Sequence, residues 1–204
     1  MVAIVTGASS GLGLSIAQLL RRNGTPVVGV ARRSSADVSG DAAKRETALR
    51  AIEAAEKLGA IDLLVNCAGV GIYGPSGSYS EADIATIIGA NLIATINFCE
   101  LLVPRFKEQG GTIVNVLSTA ALIGKANESV YCAAKWGARG YTEALKAEAK
   151  GTKLRIIAVA PGGMNTPFWP EPREGFMAPA DVAATIVDAI NRPINISELV
   201  ITRH

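Results

Sequence analysis

The chain has 204 residues, 49% of them apolar and 19% charged, with a net charge of +2. That length suits one domain (1–204) with a sizeable core, and the charge is too small to imply a nucleic-acid partner. The single histidine is the last residue, His204, so a Ser-His-Asp or Cys-His nucleophile lacks its base unless the tail folds inward, and a metal site is not expected.

Val2-Ala3-Ile4-Val5 is a short β-branched apolar run and predicts a buried strand over 2–6. Thr6-Gly7-Ala8-Ser9-Ser10-Gly11-Leu12-Gly13 follows at once, and Leu12, Ile16, Leu19 and Leu20 then repeat at helical spacing. Strand, glycine turn and helix N-terminus together make a phosphate cradle: Gly7, Gly11 and Gly13 let backbone approach an anion that the helix amides face. The spacing is Gly-x-x-x-Gly-x-Gly, not the commoner Gly-x-Gly-x-x-Gly.

Further strands are expected at 26–31, 61–66, 112–117, 154–160 and 198–202, with a very short one at 36–38. Helices are expected at 12–22, 41–58, 80–107, 129–150 and 179–191. The alternation implies an α/β fold, a doubly wound parallel sheet of Rossmann type with helices on both faces. Residues 82–99 are apolar but carry Asp83 and several Asn and Thr, so they read as a buried helix rather than a membrane span. The first strand starts at residue 2, which leaves no room for a leader, and Cys67, Cys99 and Cys132 read as reduced thiols; the expected location is cytoplasmic.

Tyr131-Cys132-Ala133-Ala134-Lys135 places a phenol and an ammonium on one helix face. A lysine charge about 4 Å away is worth roughly 4 kcal/mol to a phenolate near the surface. The expectation is therefore a Tyr131 pKa lowered by up to about 3 units, which suits a general acid/base. Ser118 closes the strand at 112–117, and Pro161-Gly162 closes the strand at 154–160.

With these motifs in this order, the chain resembles the short-chain dehydrogenase/reductase family over nearly its whole length. The resemblance rests on the Thr-Gly-x-x-x-Gly-x-Gly turn, Asn66-Cys67-Ala68-Gly69, Ser118, the Tyr131/Lys135 pair and Pro161-Gly162. It implies an enzyme that moves hydride between a nicotinamide and a carbonyl or secondary alcohol. Tyr131 would be proton donor, Ser118 would bond the carbonyl oxygen, and Lys135 would also hold the ribose. Asn91 would carry a relay water; the alternative is a helix asparagine bonding backbone. Gly7, Ser9, Ser10, Gly11, Leu12 and Gly13 would hold the pyrophosphate. Asn66, Ala68 and Gly69 would line the adenosine side, and Asp37 and Val38 would meet the adenine. Pro161, Gly162, Met164 and Thr166 would border the nicotinamide, with Thr166 on its carboxamide.

Arg32 stands where an acid would favour NAD(H); an arginine there favours the 2′-phosphate of NADP(H), with Arg33 beside it. NAD(H) stays possible, since Ser10 is not basic and Arg32 can be a plain surface residue. Cys67 stands where relatives carry a second asparagine. The helix that relatives place after the second strand is absent, and the lid after Pro161-Gly162 is short, which implies an open pocket. Tyr73, Phe168, Trp169, Phe176 and Met177 are candidate pocket or lid residues. Pairing into a homodimer or homotetramer through helices 80–107 and 129–150 is implied, with a small carbonyl or alcohol substrate and neither nucleic acid nor membrane as partner. The rival readings are an NAD-linked alcohol dehydrogenase and a cofactor-binding sensor with little turnover.

Overall fold

The computed structural model describes residues 1–203; His204 lies outside them. Seven parallel strands form one sheet in the order β3-β2-β1-β4-β5-β6-β7. The strands are β1 (Val2–Thr6), β2 (Val27–Ala31), β3 (Val38–Ser39), β4 (Ile61–Asn66), β5 (Gly111–Val116), β6 (Leu154–Pro161) and β7 (Glu198–Ile201). The order reverses between β1 and β4, and an open parallel sheet has its crevice at the carboxyl ends of the strands at such a point.

The pleat sends alternate residues to opposite faces, and both faces are covered. Val2 and Ile4 of β1 join Phe98, Leu102, Phe106, Ala48 and Leu145 in one core cluster. Ala3 and Val5 join Leu12, Ile16, Leu20, Val182 and Ile186 in the other. This is why the central strands read as unbroken apolar runs. The second layer is α1 (Gly11–Arg22) with the last helix; the first is made by three of the helices between them. In chain order the others are α2 (Arg45–Glu56), α3 (Glu81–Ile88), α4 (Ala94–Gln109), α5 (Ser129–Glu148) and α6 (Pro179–Asn191).

Two details differ from expectation. The helix expected at 41–58 is shorter, α2, and Lys44 stands at its N-cap. The expected helix at 80–107 begins with a capping box between Ser80 and Asp83, then breaks register in a π-turn, Gly89–Ile93, before continuing as α4. A π-turn costs hydrogen-bond geometry and is concentrated at functional sites; this one carries Asn91. The continuous rod Glu81–Gln109 is long and apolar enough to cross a membrane, but its stripe of Phe98, Cys99, Leu102 and Phe106 is buried on the sheet. Residues 32–37 form turns with no helix, as the spacing implies.

Candidate active site

A cleft of about 840 Å³ runs across the carboxyl ends of the strands, from Arg32, Arg33 and Lys44 at one end to Tyr73, Phe168 and Trp169 at the other. Its middle is the glycine turn between β1 and α1. Gly7 (φ 70°) and Gly11 (φ 53°) are left-handed, a conformation that disfavours side chains. A Cβ on Gly7 would lie 2.8 Å from the Cys67 carbonyl oxygen, and one on Gly13 would run into the Gly7 carbonyl. Ser10 is the N-cap of α1 in extended conformation, and its side chain caps nothing. The first amides of α1 are therefore left for an anion at the positive end of the helix. Close backbone approach, uncapped amides and a long cleft fit a dinucleotide.

Thr6 locks this middle in place. Its hydroxyl accepts from the amides of Cys67 and Ala68, both at 3.0 Å, and so ties the turn after β1 to the turn after β4. Nothing in the sequence around Thr6 marks this task except its neighbour Gly7, which must sit close to residue 67.

Ser9, Ser10, Leu12, Ala68, Gly69, Pro161, Gly162, Met164 and Thr166 all line the cleft. The methyl of Thr166 packs over Gly11, 3.3 Å from where a Cβ would be. Asp37 and Val38 do not line it. The Asp37 carboxylate instead accepts from the Gly29 amide at 2.7 Å and pairs with Arg21 at 2.6 Å, while Val38 is buried in the core. The short β3 sets its register on β2 through Val30 and Val38, which turns Asp37 back toward α1. Gly40, Asp41 and Ala42 take the wall that Asp37 and Val38 were expected to supply. Asn66 is also displaced from the adenosine side. It is buried, and its amide donates to Asn115 Oδ1 at 2.9 Å and to Cys99 Sγ at 3.3 Å. Asn115 donates in turn to Thr142 Oγ1 at 3.0 Å, so a buried polar ladder joins β4, β5 and α5. Cys67, one residue on, lines the cleft, and burial pushes its thiol up to about 12 against the opposing pull of Lys135.

Ser118, Tyr131, Lys135 and Asn91 converge on the same wall. Ser118 follows β5 and accepts from the Ala120 amide at 3.1 Å. Tyr131 and Lys135 stand on the first turns of α5, 7% and 4% exposed. The Lys135 ammonium donates to the Val116 carbonyl at 3.0 Å and sits 5.9 Å from the centre of the Tyr131 ring. The expected lowering of the Tyr131 pKa is not what this arrangement produces. Burial raises the phenol above its ordinary value, and the Ser118 hydroxyl pulls the other way. Burial also brings Lys135 down from 10.5 to about 8. Desolvation outweighs charge here because both groups are sunk in the wall.

Asn91 is 1% exposed. Its amide nitrogen donates to the carbonyls of Val70 and Ile87, at 2.8 and 2.9 Å. Its Oδ1 has no protein partner among the described residues. A Cβ on Gly69 would fall 2.8 Å from that oxygen and 3.9 Å from Lys135 Nζ, so the free acceptor lies on the Lys135 side of the wall. The backbone-bonding reading of Asn91 accounts for its nitrogen, while its oxygen is left available. Lys125 and Glu128 also line the cleft near Tyr131, as does Lys44 at the other end. Nothing local in the sequence marks these three, since a charge that faces a cleft looks like any other surface charge.

Residues 1–175 match the profile of the family described as short chain dehydrogenase. The chain is 35% identical to a ketoacyl reductase from Nostoc sp., over 92% of this chain and 74% of that one. A short-chain dehydrogenase/reductase crystal structure from Vibrio parahaemolyticus superposes with a TM-score of 0.87 at 33% identity, covering 99% of this chain and 96% of that one. A 3-ketoacyl-(acyl-carrier-protein) reductase from Brucella melitensis, complexed with NADH, superposes with a TM-score of 0.88 at 29% identity, covering 98% and 96%.

Proposed function

The chain belongs to the short-chain dehydrogenases and is an oxidoreductase, and from that premise we propose that it reduces a small carbonyl compound with NADP(H), Tyr131 giving the proton. The observation that carries this reading is the meeting of Ser118, Tyr131, Lys135 and the free oxygen of Asn91 on one wall of a cleft whose middle is a glycine turn.

When bound, the reduced nicotinamide supplies hydride, chemistry that no side chain offers. Gly7, Gly11, Gly13 and the first amides of α1 hold the pyrophosphate, and Arg32 and Arg33 hold the 2′-phosphate. Ser118 donates to the substrate carbonyl oxygen and orients it. Tyr131, kept neutral by burial, passes its proton to that oxygen as negative charge develops. Lys135 holds a positive charge below about pH 8 beside the phenol and stabilises the phenolate left behind. Asn91 Oδ1 orders a water that refills the proton through Lys135.

The second reading is an NAD-linked enzyme. It is favoured by the NADH complex of the Brucella melitensis relative and by the exposure of Arg32 and Arg33. The deciding measurement is the dissociation constants of NADPH and NADH by fluorescence titration, followed by loss of NADPH absorbance over a panel of aldehydes and ketones. Preference for NADPH with turnover of at least one carbonyl is expected. Equal affinities would overturn the cofactor assignment, and tight binding without any turnover would favour a sensor.

Pairing through α3, α4 and α5 belongs to the same proposal. Ile84, Ile93 and Trp136 stand exposed on these helices and the π-turn, as self-association would require. A cytoplasmic location, consistent with three free cysteines, and a single domain complete it.

A further inference from the structure

Aromatic residues make up 5% of the chain, yet five of them meet at the Tyr131 end of the cleft. Tyr73, on the loop after β4, meets Tyr131 edge to face, with ring centres 5.7 Å apart at 81°. Trp169, on the segment between β6 and α6, stacks on Tyr73 at 5.5 Å and 24°. Phe168 leans on Tyr131 at 6.0 Å and closes edge to face on Trp169 at 5.6 Å. Two segments far apart in sequence therefore build one aromatic wall around the proton donor.

The wall is held from behind. The Arg173 guanidinium covers the Trp169 ring at 5.2 Å, and Arg203 covers Phe176 at 4.8 Å. Phe176 backs Trp169 edge to face at 5.7 Å. Backbone presses close as well. A Cβ on Gly71 would lie 2.5 Å from the Tyr73 hydroxyl and 2.7 Å from Phe168, and one on Gly163 would lie 2.5 Å from Phe176. The ends of the segment are tied by Met177 N donating to Gly163 O at 3.1 Å and Asn165 N to Met177 O at 2.9 Å. The rings are thus preset plates. The lid is short, as its length implies, but it is a wall rather than an opening.

Resting on the reductase reading above, we propose that the substrate is a carbonyl compound with a flat conjugated ring next to the reacting carbonyl, and that Tyr73, Phe168 and Trp169 select it. Preset rings reward a flat partner with offset or edge contacts in addition to its buried area. A flexible aliphatic chain gains only the area and loses rotamer freedom on binding. The guanidinium of Arg173 already covers Trp169, so a flat partner meets the ring edges and the faces of Tyr73 and Phe168 that turn to the cleft.

The test compares three probes in the wild-type protein at saturating NADPH: 1-phenyl-1,2-propanedione, 2,3-hexanedione and an acetoacetyl thioester. The phenyl diketone is expected to exceed the other two in kcat/KM by about tenfold, the scale of one or two ring contacts. Trp169→Leu should reduce that ratio to near unity, chiefly through a lower kcat/KM for the phenyl diketone, and Trp169→Phe should restore part of it. A wild-type preference for the aliphatic diketone or the thioester, or equal rates, overturns the inference and leaves the reductase reading standing. Turnover of none of the three counts against the reductase reading, and fluorescence then decides the inference. Trp136→Phe leaves Trp169 as the only tryptophan of the original two. Its emission should be quenched by the phenyl diketone well before the hexanedione. Equal quenching by both, or none, overturns the inference.

Discussion

At the Arg32 end, the cleft wall is made of backbone and exposed cations. At the Tyr131 end, it is made of buried side chains. The first end, with the glycine turn beside it, offers shape and charge: glycines that admit no Cβ, helix amides, and arginines that reach from the surface. The second changes chemistry, because burial moves the ionisation of the groups it holds. Lys135 is drawn to about 8 and the Tyr131 phenol is raised, whereas Arg32 and Arg33 stand in water. Substitutions at the buried end should therefore act on rate, and at the exposed end on affinity.

The sharpest test of that division is Tyr131→Phe. It should lower kcat by about 10²–10⁴-fold, the usual share of general acid catalysis, and leave NADPH affinity within about twofold. Retention of a tenth of the wild-type rate would show that another group gives the proton.

Lys135→Met crosses the boundary, and both rate and affinity should fall by tenfold or more, measured by stopped-flow turnover and fluorescence titration, since one ammonium faces the phenol and the cofactor cleft. The wild-type rate should hold below about pH 8 and decline above it, as Lys135 loses its charge there. The stability contribution has the opposite sign. The unfolded chain keeps this proton up to about 10.5 while the folded protein releases it near 8, so the group's contribution to folding rises with pH across that window. A rate profile flat to pH 10 would remove Lys135 from the mechanism.

Arg32→Asp belongs wholly to the exposed end. A charge-assisted hydrogen bond contributes about 1.5–3 kcal/mol, so a ten- to hundredfold preference for NADPH should be lost with kcat on bound cofactor unchanged. An unchanged ratio of NADPH to NADH affinity would clear Arg32 of that task.

Asp37→Ala should do least to the cleft. Its carboxylate serves Gly29 and Arg21, so NADPH affinity should stay within about threefold while thermal unfolding registers a loss of about 1 kcal/mol. A large fall in affinity would return Asp37 to the cofactor's neighbourhood.

The legible features are those whose signal is local. Val2–Thr6 and Ile61–Asn66 read as strands because both their faces are buried, and the glycine turn reads as a cradle because only glycine tolerates its geometry. Tyr131 and Lys135 are legible as neighbours from spacing alone. Their ionisation is not, since spacing reports adjacency and says nothing of burial. Asp37 was misplaced because its direction depends on the pairing of β3 with β2, a matter of register between strands. Asn66 was misplaced because its partners, Cys99 and Asn115, are distant in sequence. The π-turn at Asn91 has no compositional mark at all.

The ladder from Asn66 through Asn115 to Thr142 has a mechanical consequence. It pins two neighbouring strands to the helix that bears Tyr131 and Lys135, with donors and acceptors that have no water to turn to if they part. Such a spine opens only with the whole fold. Breathing at the cleft falls instead to residues 32–44, at the Arg32 rim, since the aromatic wall at the other rim is tied at both ends. Amide hydrogen exchange should register this as slow exchange along β4, β5 and α5 and quick exchange at the Arg32 rim, so that the groups on α5 stay still while that entrance moves.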